Sequence, residues 1–237
     1  MRYAVPFERL EDAPVSERAR LVDLSHVVAD GLVTYPGLPP PVVGEHLSRA
    51  DSRAHYAPGT EFQIGRIELV ANTGTYVDAP SHRFEGAADV AALPLQALAD
   101  LPGRVIRAAD AGRRLGTALL PPDDLAGCAV LFHTGWSRHF GTPRYGEGHP
   151  FLDAALARAL VARGAALVGI DSLNVDDTGD PTRPAHTALL AAGIPIVEHL
   201  TGLEALPARD FRFYAVPAKV RGLGSFPVRA FARLVTG

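Results

Sequence analysis

Cysteine, lysine and long apolar runs are nearly missing from this chain. Cys128 is the one cysteine in 237 residues, which excludes an intrachain disulfide. It leads into Ala129-Val130-Leu131-Phe132, so a buried strand thiol is expected there. No stretch approaches the ~20 apolar residues of a membrane span, so no membrane partner is expected. Met1 to Glu11 mixes charges with single apolar residues and lacks the apolar centre of a signal peptide, so a cytoplasmic protein is expected. A basic excess is absent too. The 23 Lys and Arg face 26 Asp and Glu, for a net charge of -3, which disfavours a nucleic-acid partner. Lysine occurs only as Lys219, beside abundant alanine and arginine, the mark of a GC-rich genome and not of a functional device. Repeats and linkers are missing as well, so a single domain over 1–237 is expected.

What is present is an ordinary globular composition, 47% apolar and 21% charged. The order of elements is mixed α/β. Pro39, Pro40 and Pro41 fix φ and make a loop. Phe62 to Ala71 alternates and reads as a strand, as does Gly103 to Ala109. Leu93 to Leu98 is a short helix with proline near its start. Ala129 to His133, Ala166 to Ile170 and Ile194 to Val197 are apolar runs of interior strands. Leu152 to Arg163 carries one apolar helical face and ends at Gly164; a second helix, Thr187 to Ala192, ends at Gly193. Phe211 to Val220 reads as a strand alternating around Pro217. The helix–strand–helix–strand run from Leu152 to Glu198 argues for an α/β layer.

Three clusters can carry chemistry. Asn72-Thr-Gly-Thr-Tyr76-Val-Asp78-Ala-Pro-Ser-His82 gathers polar side chains around a glycine and a proline. Asp78 and His82, four apart, suit a metal site or an acid–base pair; the alternative is a turn-capping Asp beside a surface His. Asp171-Ser-Leu-Asn-Val-Asp176-Asp177 follows a buried strand, where α/β folds border ligand crevices. Asp171 is the candidate buried acid in it, with Asp176 and Asp177 as helix caps. His186 and Glu198 sit at opposite ends of a helix–turn–strand unit that can bring them together.

The first cluster resembles the signature of the cyclase family that includes bacterial kynurenine formamidase and isatin hydrolase, His-x-Gly-Thr-His-x-Asp-x-Pro-x-His. Gly74, Thr75, Asp78, Pro80 and His82 match it. Asn72 and Tyr76 stand where that pattern has its first two histidines. The text from Pro184 through His186 to Glu198-His-Leu-Thr201 is similar to the family's downstream segment. Asp23-Leu-Ser-His26, Tyr35-Pro-Gly37, His133-Thr-Gly-Trp136, Pro217 to Gly222 and Pro227-Val-Arg229 are similar in turn. The resemblance implies a swivelling β/β/α architecture, a single domain with a mixed sheet. It implies Asp78 and Glu198 as shared metal carboxylates, His186 as a ligand and His82 as the proton donor and acceptor. It also places an aromatic before Pro-Gly, here Tyr35, against the substrate.

The two departures argue against a full two-zinc site. The amide of Asn72 is a weak ligand, and a neutral phenol such as Tyr76, of ordinary pKa ~10, is a poor one at neutral pH. Three readings stay open. One divalent ion, Zn or Mn, is held by Asp78, His186 and Glu198 with Asn72 or water completing the shell. Or no metal is bound, and His82, Tyr76, His186 and Glu198 serve as acids and bases of a cyclase, dehydratase or isomerase. Or the chain is an inactive small-molecule binder. Hydrolysis of an amide, lactam or lactone is the expected reaction, with Tyr35, Phe62 and Trp136 as aromatic walls for a small substrate. The expected assembly is a homodimer or homotetramer.

Overall fold

In the computed structural model, residues 20–235 are described. The strands are β1 (Leu21–Asp23), β2 (Val42–Leu47), β3 (Ile64–Glu68), β4 (Tyr76–Asp78), β5 (Leu101–Arg107), β6 (Arg114–Leu115), β7 (Ala129–His133), β8 (Phe151–Leu152), β9 (Leu167–Ile170), β10 (Ile196–Glu198), β11 (Phe211–Tyr214), β12 (Ser225–Pro227) and β13 (Phe231–Leu234). The helices are α1 (Arg49–Ser52), α2 (Ala154–Ala162) and α3 (Pro184–Ala191). Among the described residues, nine strands form one sheet in the order β1-β13-β11-β5-β7-β9-β10-β4-β12. The run β5-β7-β9-β10 is parallel and the flanking pairs are antiparallel, so the sheet is mixed, as expected.

The central strands are apolar throughout because both their faces are covered. Alternation along β7 sends Leu131 to one core and Val130 and Phe132 to the other. Leu156 and Leu160 of α2 and Leu189 of α3 close the second core. Among the described residues, no α-helix contributes to the first core. Val77 of β4 and Ala232 of β13, far apart in strand order, meet in it. The sheet therefore curls over itself, and the layers are sheet, sheet and helix.

Several element boundaries differ from the sequence reading. The helix from Leu152 begins at Ala154, because Asp153 caps it by accepting from Leu156 N at 2.8 Å, while Leu152 joins β8. The second helix starts earlier, at Pro184, which suits a first helical position. The strand expected to run to Val220 stops at Tyr214; beyond it only a Pro217–Val228 bridge forms, since proline has no N–H for the ladder. The strand expected over 62–71 is the shorter β3. It pairs with β2 in a separate hairpin, and every residue of β3 is exposed.

Register decides what meets what. β10 pairs β4 with Glu198 opposite Tyr76, and β12 pairs β4 with Ser225 opposite Asp78. Tyr76 and Asp78, two apart, share one face of β4. The loop leading into β4 is fastened by Gly74 N to Thr34 Oγ1 at 2.8 Å and Thr75 Oγ1 to the His199 carbonyl at 2.6 Å. Gly74 takes φ +65°, which a side chain would resist. After β4 the chain presses on β12: a Cβ added at Gly224 would lie 2.6 Å from both N and Cα of His82. Gly224→Ala must displace that backbone. An overpacking cost of about 1–3 kcal/mol is expected in urea unfolding; unchanged stability would mean that the His82 loop yields freely.

Candidate active site

Burial alone makes the site conspicuous. Asp78, Asp176 and Glu198 are each 0% exposed, and His186 is 6% exposed among them. Asp176 accepts from Ala185 N at 2.6 Å and His186 N at 3.0 Å, satisfying free donors of the first turn of α3. Its Oδ2 also lies 2.7 Å from His186 Nδ1. That contact turns the Nε2 edge of the ring toward the other carboxylates. Nε2 is 3.7 Å from Asp78 Oδ2 and 3.7 Å from Glu198 Oε1.

The two oxygens of Asp78 face different groups. Oδ1 accepts the Ser225 hydroxyl and lies 3.9 Å from His82 Nε2. Oδ2 is buried with no hydrogen-bond partner. Ser225 Oγ is also 2.9 Å from His82 Nδ1, and the Asn72 amide donates to it at 3.4 Å. Glu198 is crowded with donors. Val175 N donates to Oε1 at 2.7 Å, while the Tyr76 hydroxyl at 2.6 Å and Asn174 Nδ2 at 3.3 Å donate to Oε2.

Electrostatics follow from this packing. Burial would lower the His186 imidazole, but Asp176, Asp78 and Glu198 together raise it to about 10. Burial lifts the Glu198 carboxyl to about 7, the Asp78 charge adding to it and His186 opposing it. Burial, Glu198 and Asp78 push the Tyr76 phenol well above its ordinary range. Tyr76 therefore stays neutral and donates to Glu198.

A cavity of about 390 Å³ opens over these groups. Its floor includes Tyr76, His186 and Glu198; its rim includes Tyr35, Pro36 and Leu38, with His82 at the side. Asn72 also lines it. Two expected wall residues are elsewhere. Phe62 is 54% exposed and packs edge-on against Tyr56 beside the β2–β3 hairpin. Trp136 is buried with Tyr145 and Leu173, its indole donating to the Tyr145 carbonyl at 2.9 Å. Asp171 is not in the cavity either. It is buried and holds the turn after β7, accepting from Thr134 N and Gly135 N, both at 2.8 Å.

A family described as "Putative cyclase" matches residues 22–177. The chain belongs to the cyclase family. It is 30% identical over 214 residues to the kynurenine formamidase of Geobacillus thermodenitrificans, covering 90% of this chain and 96% of that protein. It is also 30% identical over 184 residues to the kynurenine formamidase of Polaromonas naphthalenivorans, covering 75% and 77%. Among solved structures, a potential metal-dependent hydrolase with cyclase activity matches at TM-score 0.74 and 25% identity, over 91% of this chain and 98% of that one. Isatin hydrolase A from Labrenzia aggregata matches at TM-score 0.78 and 22% identity, over 96% and 98%, a likeness of fold.

The family's metal chemistry can be tested against the residues present. Bonds of about 2.0–2.2 Å to one ion set donor atoms about 3–4 Å apart. The spacings of 3.7 Å around His186 Nε2 fit that, and the unpartnered Asp78 Oδ2 points the same way. Asp176 on Nδ1 is the carboxylate partner that a ligating histidine ordinarily has. By distance alone His82 joins in: one atom each of Asp78, His82 and His186 lie within 4.8 Å of one another. A second ion finds no such fit, because Tyr76 and Asn174 already occupy Glu198 Oε2.

Three site residues escaped the sequence reading. Asp176 was expected only as a cap, and it does cap α3 while also orienting His186. Asn174, two residues earlier, could have been suspected from the same polar run. Ser225 carries no local signal.

Ion binding has a proton signature. With its pKa raised from 6.5 to about 10, His186 carries its second proton at neutral pH, and Nε2 must lose it to accept an ion. Calorimetric titration of the metal-free protein with Zn²⁺ at pH 7.5, in buffers of different ionisation enthalpy, should show about one proton released per ion. Affinity should rise with pH toward 10 and weaken as pH falls. Binding without proton release would contradict this charge arrangement.

Proposed function

We propose that this chain hydrolyses a small molecule at an amide, lactam or lactone bond, with one divalent ion, Zn or Mn, on Asp78, His186 and Glu198. The observation that carries the reading is the division of labour on Asp78. Its unpartnered Oδ2 faces His186 Nε2, and its Oδ1, satisfied by Ser225, faces His82. The ion belongs on the Oδ2 side, which leaves His82 out of the ligand set. When bound, such an ion supplies polarisation of a carbonyl group and of water at neutral pH.

The other steps belong to the chain's own groups. His82 stands at the cavity wall with 37% of its side chain exposed, within reach of both substrate and solvent. Its Nδ1 is fixed by Ser225, which leaves Nε2 to take a proton during attack and give it to the leaving group. Tyr76 and Asn174 keep Glu198 from rotating. Tyr35, Pro36 and Leu38 supply an apolar rim suited to a ring-sized substrate. The formamidase names of the 30% identical relatives and the hydrolase at 25% identity support hydrolysis, with an aryl formamide as the first substrate to try.

One observation favours a second reading. His186 as a buried imidazolium can itself balance the surrounding carboxylates, which suits a metal-free cyclase, dehydratase or isomerase. For assembly, the cross-strand pair Val43 and Ile67 exposes apolar surface on one side of the hairpin and Val42 and Ile64 on the other, a feature that favours association with a second copy.

Formanilide hydrolysis separates the roles. His82→Ala should lower kcat by on the order of 10²-fold while ion binding survives. His186→Ala and Glu198→Ala should lose ion and activity together. Loss of the ion in His82→Ala, or an unchanged rate, would overturn the assignment. Tyr76→Phe should lower turnover roughly tenfold through a loosened Glu198, the worth of one hydrogen bond to a charged group; full activity would make the phenol a packing residue only.

A further inference from the structure

Two arginines line the same cavity, Arg83 and Arg183. Neither belongs to the hydrolytic machinery described above, and the family signature does not include them. Arg83 follows His82 directly, and its Nε donates to Thr187 Oγ1 at 3.3 Å. Arg183 precedes α3, and its Nη1 donates to the Asp177 carbonyl at 3.2 Å. Neither guanidinium is in an ion pair among the described residues. Of the nearby carboxylates, Asp177 pairs with Arg113, with a contact of 2.9 Å, while Asp180 accepts from Thr182 at 2.7 Å and feels the Arg183 charge without forming an ion pair with it. Most of the donors on each fork are therefore left for a ligand.

The backbone adds a second observation. Arg183 has φ +48°, a left-handed conformation that non-glycine residues seldom adopt. Helix α3 needs no arginine at that position: its free N–H groups are served by Asp176, and no side chain of residue 183 caps it. Glycine or asparagine would suit the turn better. The strained turn does put Arg183 beside the Tyr35 phenol at the rim, across from the catalytic floor.

We propose that Arg83 and Arg183 form an anion-binding wall, and that the substrate carries a carboxylate remote from the bond that is cleaved. Guanidinium forks match carboxylate geometry and select for it over a neutral amide of the same shape. The proposal rests on the reading of this cavity as the substrate site. It adds a specificity element: the floor handles the scissile group and the arginines hold the far end.

The probes are benzoate and benzamide, equal in shape and different in charge. They are titrated calorimetrically into the protein as purified, into Arg83→Gln, into Arg183→Gln and into the double variant. Benzoate should bind wild type at least ~10-fold more tightly than benzamide, the worth of one charge-assisted hydrogen bond. The double variant should reduce that preference to below ~2-fold, with benzamide affinity unchanged as the check on folding. If Arg183→Gln fails to fold, Arg83→Gln alone should lower the preference by at least ~3-fold. Equal binding of the two probes by wild type overturns the proposal. So does a preference that survives both substitutions, which would put the anion on the floor. Formanilide turnover is read separately: benzoate selectivity without hydrolysis would sink the proposed reaction and leave this wall standing.

Discussion

Three wholly buried carboxylates, Asp78, Asp176 and Glu198, converge on one imidazole. Buried charge without compensation is prohibitively unfavourable, so the surroundings must supply donors or cations. The local architecture answers that demand group by group. Asp176 takes the free N–H groups of α3, Asp78 takes Ser225 from the neighbouring strand, and Glu198 takes Tyr76, Asn174 and Val175. What remains unanswered is the Oδ2 edge of Asp78 and the space around His186 Nε2. In the proposed reading, that remainder is where the cation sits.

In the proposed reading, the Tyr76–Glu198 hydrogen bond limits the site to one cation. The family signature has imidazole at positions 72 and 76. Here a phenol fills the second of these; its oxygen lies 2.6 Å from Glu198 Oε2, and the proton between them offsets the carboxylate charge locally. The raised pKa of the phenol follows from burial first and then from the Glu198 and Asp78 charges, so it stays a donor. In the proposed one-ion reading, the phenol at 76 puts a hydrogen bond where a second ion would need a ligand, and the Asn72 amide donates to Ser225. β4 pairs in register with both β10 and β12 through its backbone, with Tyr76 and Asp78 on the face turned to the site.

How much of this was legible in the sequence depended on range. Apolar runs such as Ala129 to His133 announced buried strands, because a strand covered on both faces has no polar alternation. The α/β class and mixed sheet followed from such runs and from the resemblance. Asp78, His82, His186 and Glu198 could be named because motif text marked them, and the structure brings all four to one cavity or its immediate floor. Long-range pairing was not legible: nothing local to Ser225 says that it will stand opposite Asp78, 147 residues away in the chain. Aromatic residues misled for the same reason. Phe62 went to an exposed hairpin and Trp136 to a small separate core, and no periodicity distinguishes either from a cavity wall. Asp171 was equally ambiguous, since a buried acid at a strand end can serve a turn or a ligand, and here its acceptors are spent on Thr134 and Gly135.

The central claim is that the site has room for one cation and not two. Elemental analysis by plasma emission, on protein purified without chelator and then dialysed against Zn²⁺ and desalted, tests it most directly. The account predicts one zinc per chain. Two retained zincs per chain would contradict it, because Glu198 Oε2 would then have to exchange the Tyr76 hydroxyl for an ion or His82 would have to serve as a ligand.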